Sequence, residues 1–386
     1  MTRRPWPTLL ITLFTGTLAL VGLQAVWAFL PQGEKLRGVS AELPPVKWDW
    51  TEFKAGKTAR EIEAWYNVRV GLRNFWVMLD NQVSYTFFGE VNPRSEGSRV
   101  IAGEHDWFFE YQYIETAVTP SLWRAAVPTV VQRLKSVQEK LARRGIPLLV
   151  VVAPSKVEVY PEHVPAAYFG KRKPADNLSD FELARPLMQA AGINYYDGPA
   201  RYAVWKAAGE RNLFARAGTH WSYQSSLRVL SEIRERLNPA MRHPLPEFIV
   251  TSTPVGPPRV TDRDLLDLTN LLVTAPYAHS LPYPVLKPQQ AVPTDQLPRI
   301  LWVHDSFGWV LIDQLYAAHA MQPSESLYYF NTVYRIPGAV KQDTDLKKID
   351  WEARLKSYDA VVIVWTEIAF DFDSWGFIET LDRALP

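Results

Sequence analysis

Three short apolar runs constrain this chain most. Residues 147–152, 300–303 and 360–365 carry no charge and consist almost wholly of branched and aromatic side chains. A strand with one wet face alternates apolar with polar residues, so an unbroken run is expected where a strand is covered on both faces. Helical patterns lie between and around them. Residues 121–144 place Val127, Val131, Leu134, Val137 and Leu141 on one stripe. Pro128 falls where it either kinks that helix or marks its first turn, and Gly145 stands near the expected C-terminal stop. Further helices are expected over 176–191, 199–208, 222–237 with Ser222 as N-cap, 260–272 and 350–357. Short strands are expected over 193–196 and 327–330. Buried strands joined by helices predict an α/β fold, a mostly parallel sheet flanked by helices.

The amino terminus reads differently. Arg3 and Arg4 precede residues 8–30, and no charge lies between Arg4 and Glu34. About 20 apolar residues suffice to cross a bilayer core, and the leading positive charges predict a cytoplasmic amino terminus with the body outside. The competing reading is a signal peptide cleaved after Val26-Trp27-Ala28. Apolar regions of signal peptides run only about 7–15 residues, which favours an uncleaved anchor. Residues 1–31 are thus a cytoplasmic stub and transmembrane anchor, and 32–56 a proline-containing linker. Residues 57–386 read as one domain, with proline-rich insertions near 238–258 and 275–297 that are irregular apart from an extended 247–251. Within it, 57–88 reads as one helix, and a strand from Ser98 to Gly103 leads through a turn at His105 into a hairpin partner.

Composition removes several classes of function. A net charge of +1 gives no electrostatic case for nucleic acid. The absence of cysteine excludes disulfides and thiolate metal sites. No glycine-rich phosphate loop, dinucleotide fingerprint or His-x-x-x-His spacing occurs, so no cofactor or metal is expected.

Two stretches carry candidate chemistry. The first runs from Pro298 to Gly308, an apolar strand that stops abruptly at His304-Asp305-Ser306 before a helical pattern over 309–320. Ser306 then sits at the carboxyl end of a strand, where open α/β sheets place their ligands. Amide groups at the helix start would face an oxyanion there. Serine after aspartate is also a common turn former, so the context alone leaves both readings open. The second stretch is Ala217-Gly218-Thr219-His220-Trp221. A histidine has the pKa for taking and returning a proton, and it need be near the serine only in space. An acid should orient it. Asp-x-His would supply one, but Gly218 occupies that position, which leaves Asp305 or Glu367. Asp305 also reads as a cap for the following helix. Lys156, after the 147–152 strand, either points into the same cleft or solvates a loop. The basic run 171–173 is a solvated surface or a contact for acidic sugars.

These segments together resemble the AlgJ/AlgX-type family of alginate O-acetylation proteins, whose domain is SGNH-hydrolase-like. The resemblance rests on Asn67–Arg73, Arg99-Val100-Ile101-Ala102-Gly103 with Asp106-Trp107-Phe108-Phe109, Val151–Lys156 with Val159-Tyr160-Pro161-Glu162, Gly218–Trp221, His304–Phe307 and Asp359–Ile363, in that order. It implies that His220 is the general base and Ser306 the nucleophile carrying an acetyl group; Asp305, Trp221 and Lys156, from their places beside these two in the sequence reading, are candidates for support. It further implies acetyl transfer to an exported polysaccharide in the periplasm, from an inner-membrane anchor. The acetyl would come through a membrane-bound O-acyltransferase partner. This chain departs from the family's Asp-x-His-Trp at Gly218 and from its Gly-Asp-Ser-Phe at His304. Gly218 motivates an alternative, a non-catalytic scaffold or binding subunit of a polysaccharide-modifying complex. A carbohydrate esterase would use the same residues.

Overall fold

The computed structural model describes residues 6–27, 29, 33–38, 48–91, 100–119, 123–169 and 178–386, with backbone alone at 169 and 369–373. Arg3, Arg4, Ala28, residues 32 and 39–47 of the linker, Ser98, Arg99, the basic run 171–173 and the expected helix start at 176 lie outside the described residues. The chain forms two compact units, Met1–Val100 with Leu266–Pro276, and Ile101–Leu265 with Tyr277–Pro386. Residues 57–88, counted from sequence with the α/β domain, fall in the first.

In the first unit, helix α1 (Trp6–Trp27) is long and apolar enough to cross a membrane. At about 1.5 Å per residue its 22 residues span about 33 Å. The single helix expected over 57–88 is instead two, α2 (Lys57–Arg69) and α3 (Arg73–Phe88). The break is a close crossing. A Cβ at Gly71 would lie 2.1 Å from Gln24 Cγ, and Leu72 turns into the left-handed region at φ 57°. Arg69 Nε donates to Ala25 O at 2.9 Å, closing the carboxyl end of α1.

The second unit is built on a seven-stranded sheet. Its strands are β1 (Leu148–Ala153), β2 (Tyr195–Asp197), β3 (Ile300–His304), β4 (Ser324–Tyr328), β5 (Thr332–Ile336), β6 (Val340–Gln342) and β7 (Ala360–Thr366), in the order β6-β5-β4-β3-β7-β1-β2. From β4 through β2 all neighbours are parallel, and β5 and β6 add an antiparallel edge. The three apolar runs are the adjacent central strands β3, β7 and β1, and every residue of each is buried. Their side chains alternate between two cores. Leu149, Val151, Trp302, Val362 and Val364 pack with helices α6 (Tyr223–Leu237) and α8 (Gly308–Ala317). Leu148, Val150, Leu301, Val303, Val361 and Ile363 pack with α4 (Val127–Ala142), α5 (Asp180–Ala190) and α9 (Phe377–Ala384).

Local chemistry sets the element ends. Pro128 stands in the first turn of α4, and Gly145 follows that helix at φ 70°. Ser222 Oγ accepts from Ser225 N at 3.1 Å and starts α6. Helix α7 (Val260–Leu268) stops short of the expected residue 272, with Asn270 at φ 49° just beyond it. The proline-rich stretches pair with each other, so the extended 247–251 is a strand and the stretches read as irregular hold three more. Phe248–Ser252 lies antiparallel to Val285–Pro288, and Val255–Gly256 to Leu281–Pro282. Such short edge strands tolerate proline, which hides them from sequence patterns.

Candidate active site

Strand β3 ends at the centre of the sheet, and the turn that follows presents Ser306. Asp305 builds this turn. Its Oδ1 accepts from Phe307 N at 2.9 Å and its Oδ2 from Thr366 N at 2.7 Å, tying the carboxyl ends of β3 and β7 together. Burial pushes its carboxyl up to about 6 despite these bonds. Asp305 is therefore the staple of the serine turn and does not orient His220 by contact. Two amides of the helix start are also taken, Phe307 N by this carboxylate and Gly308 N by Asp305 O at 3.2 Å. The expectation that they face an oxyanion fails for that reason.

His304, the last residue of β3, is a core residue. Its Nδ1 contacts Asp305 O at 2.6 Å and its Nε2 contacts Ser326 Oγ. Burial lowers its pKa to about 4, so it stays neutral. Among the described residues no cluster of three or more His, Cys, Asp or Glu could hold a metal ion. Glu367, the other acid considered from sequence, accepts from Ser155 N at 3.0 Å and joins the ends of β7 and β1 instead.

His220 arrives on a loop closed by a bridge between Phe214 and Trp221. Trp221 Nε1 donates to Phe307 O at 3.2 Å, and the His220 ring lies 4.9 Å from that of Phe307. The histidine thus packs against the residue next to Ser306. Lys156 holds the other side of the loop. Its Nζ donates to Ala215 O at 3.2 Å, to Arg216 O at 3.1 Å and to Gly218 O. It neither enters the cleft nor solvates a loop. It is a buried brace, with burial lowering its pKa to about 7.

The imidazole has two distinct edges. Nδ1 lies 2.9 Å from Asp264 Oδ2, an approach too bent for a straight hydrogen bond. Nε2 is buried and has no hydrogen-bond partner among the described residues. Burial lowers the ring's pKa, but the adjacent Asp264 carboxylate, the charge of Asp305 and the Thr261 backbone raise it more, so the net shift is upward. Asp264 was not read from the sequence. It sits on α7, far along the chain, among other acids of an amphipathic helix.

Tyr329 was missed for a similar reason. The sequence places it inside a strand, yet β4 ends at Tyr328, and Tyr329 and Phe330 turn to φ 49° and 47°. Tyr329 N donates to His304 O at 2.9 Å. Its hydroxyl comes within hydrogen-bonding reach of both the side chain and the backbone of Ser306, while burial raises its pKa. Left-handed backbone at a non-glycine residue costs about 1–3 kcal/mol and tends to cluster at functional sites. Glu110 faces the same place. Its carboxyl is raised by burial and by Asp264, an effect that His220 offsets. Behind the 214–217 segment lies a cavity of about 420 Å³, lined by Trp107, Tyr160, Phe214, Arg216, Asp262 and His279 among others.

Comparison with known proteins places the chain in a family. The family model described as "SGNH hydrolase-like domain, acetyltransferase AlgX" matches residues 100–296, a stretch that holds Lys156, Gly218, His220 and Asp264 and ends ahead of Ser306. A protein of Azotobacter vinelandii named "Probable alginate O-acetylase AlgJ" is 29% identical over 244 residues, 60% of this chain and 55% of its own. The protein of the same name from Pseudomonas aeruginosa is 33% identical over 234 residues, 57% of this chain and 52% of its own. The chain therefore spans about half the length of the curated relatives it matches. Among solved structures, the "O-Acetyltransferase Domain of Pseudomonas putida AlgJ" overlaps at a TM-score of 0.47 and 17% identity, covering 74% of this chain and 99% of that one. The family match takes in just over half of the sequence, and the chain belongs to the SGNH hydrolase-like acetyltransferase family of AlgX.

Proposed function

We propose that this protein is a membrane-anchored O-acetyltransferase that modifies an exported polysaccharide through an acetyl-serine intermediate. The observation that carries the reading is a buried histidine, its Nε2 unpartnered among the described residues, packed 4.9 Å from the ring of the residue that follows Ser306. Ser306 Oγ attacks the carbonyl carbon of the acetyl donor and gives its proton to His220 Nε2. The tetrahedral intermediate expels the donor's leaving group, which takes that proton. A sugar hydroxyl then attacks the acetyl-serine, passing its proton to His220, which returns it to Ser306 Oγ. The developing oxyanion is assigned to Ser306 N–H and the Tyr329 hydroxyl, which would exchange their contact with each other for it. In the resting site Ser306 lies within reach of the Tyr329 hydroxyl, and the proposed attack requires Oγ to turn toward His220. Catalytic hydrogen bonds often tighten only with substrate bound.

The curated relatives named alginate O-acetylase support a polysaccharide acceptor. Helix α1 and the leading arginines support an inner-membrane anchor with the catalytic unit in the periplasm. A membrane-bound O-acyltransferase partner would deliver the acetyl group. The test is incubation of the protein with an activated acetyl ester, followed by mass spectrometry of the Ser306 peptide. We expect acetyl on Ser306 and a loss of at least about 10³-fold in turnover in Ser306→Ala. Equal turnover in that variant would overturn the reading. Release of acetate with no transfer to added oligosaccharide would make the protein an esterase.

A further inference from the structure

We propose that Asp264 is the acid that orients His220, and that Gly218 is the residue that makes room for it. This rests on the reading of Ser306 and His220 given above and adds a third member from a part of the chain that no motif marks. Asp264 uses both carboxylate oxygens. Oδ2 lies 2.9 Å from His220 Nδ1, while Oδ1 accepts from Thr219 N at 2.8 Å and from Leu265 N at 2.9 Å. Two backbone amides thus hold one edge of the carboxylate and aim the other at the imidazole. An acceptor fixed at Nδ1 selects the tautomer that leaves Nε2 free to take a proton, and its charge stabilises the imidazolium that forms.

Gly218 occupies the position from which an Asp-x-His motif would supply this acid. The reason it must be glycine is steric. A Cβ there would fall 2.5 Å from Thr261 O, 2.6 Å from Asp262 C and 2.8 Å from Asp262 Cα. These are backbone atoms of the first turn of α7, which cannot swing aside as a side chain would. The turn lies directly on the 218 backbone, and that approach sets Asp264 beside the ring. The two features are therefore one arrangement. The acid arrives from α7 because position 218 is empty, and position 218 cannot carry an acid while α7 is there.

The other charged groups around His220 do not compete for Nδ1. Asp305 is spent on Phe307 N and Thr366 N and acts on the ring only through its charge. Glu110 feels both Asp264 and His220 through charge, with no bond to the ring among those resolved. Lys156 is engaged with the carbonyls of the loop and is itself influenced by Asp264.

The experiment compares Asp264→Asn, Asp264→Glu, Gly218→Asp and the double variant Gly218→Asp/Asp264→Asn in the full-length protein, using turnover of an activated acetyl ester against pH. Asparagine keeps an Oδ1 for Thr219 N–H, so the fold is expected to survive, which far-UV circular dichroism and Tm check. The expected loss in Asp264→Asn is about 10³–10⁴-fold in kcat with KM nearly unchanged. Its acid limb should also move to lower pH, because the carboxylate that raises the His220 pKa is gone while burial still lowers it. Asp264→Glu should retain more activity than Asp264→Asn. Gly218→Asp should lose activity, and the double variant should not recover it. A kcat within threefold of wild type in Asp264→Asn with an unmoved acid limb would overturn the proposal, as would recovery of activity in the double variant. His220 is titrated by NMR in parallel, in Ser306→Ala and in Ser306→Ala/Asp264→Asn. This readout needs no turnover. If the protein fails to acetylate at all, a fall in the His220 pKa on removing Asp264 still upholds the pairing, and an unchanged value rejects it.

Discussion

Single residues here are either chemical or supportive, and Lys156 belongs to the second kind. It is 3% exposed and supplies donors to three carbonyls of the loop that carries His220. Lys156→Met keeps the apolar stem and leaves those carbonyls without their donor, at an expected cost of about 2–4 kcal/mol in urea unfolding. Activity should fall with it, because the loop sets the imidazole. The pH dependence has a definite sign. The folded lysine titrates at about 7 and an unfolded one at about 10.4, so the unfolded chain binds more protons between those values. This group's contribution to stability is fully present above about 10 and is lost as pH falls through 7. The rise of stability with pH across that window should shrink in Lys156→Met. At this scale the sequence was readable where a residue's chemistry is rare in its setting. One histidine before an N-cap and one serine after a buried strand stand out. Asp264 is one of three acids in a nine-residue amphipathic helix, and Tyr329 lies in a run of three aromatics, so nothing local distinguishes either. Their roles come from a long-range helix contact and from a backbone turn, and neither leaves a pattern in spacing.

At the scale of elements, β3 links the core to the chemistry. Every residue of the strand is buried, and Leu301 is 0% exposed in the core shared with α4, α5 and α9. Leu301→Ala removes atoms from a site walled by neighbouring strands that cannot collapse, and should cost about 2–5 kcal/mol in denaturant unfolding. Because β3 carries the serine turn on its end, that variant is also expected to lose catalytic rate before it unfolds. The central strands were legible because burial on both faces demands an unbroken apolar run. The β5–β6 edge and the short strands at 255–256, 281–282 and 285–288 were not, because strands of two to five residues at an edge carry little burial to pattern them. The 57–88 helix was over-read for the opposite reason. Its apolar periodicity runs through the break, and only the crossing of Gly71 against Gln24 interrupts it.

For the molecule as a whole, α1 is the element on which the proposed membrane anchoring rests. Its side chains are exposed along almost the whole length, with Gln24 and Ala25 buried near the carboxyl end. Leu13→Arg and Leu18→Arg together place two charges within the apolar stretch, each costing about 2.5–3.5 kcal/mol at a bilayer centre. The double variant should leave the membrane pellet on fractionation, while the parent stays in it through a high-salt wash. The carboxyl end of α1 has a further consequence. Arg69 clasps the carbonyls of Ala25 and Val26, and Gln24 fills the space at Gly71. Such a clasp transmits torque. Helix α2 is coupled to the spin of α1 about its long axis, instead of swivelling on a loose leash. A fluorophore rigidly mounted on α2 should tumble at the slow pace of an object embedded in lipid, and cutting the clasp with Arg69→Ala should let it spin faster.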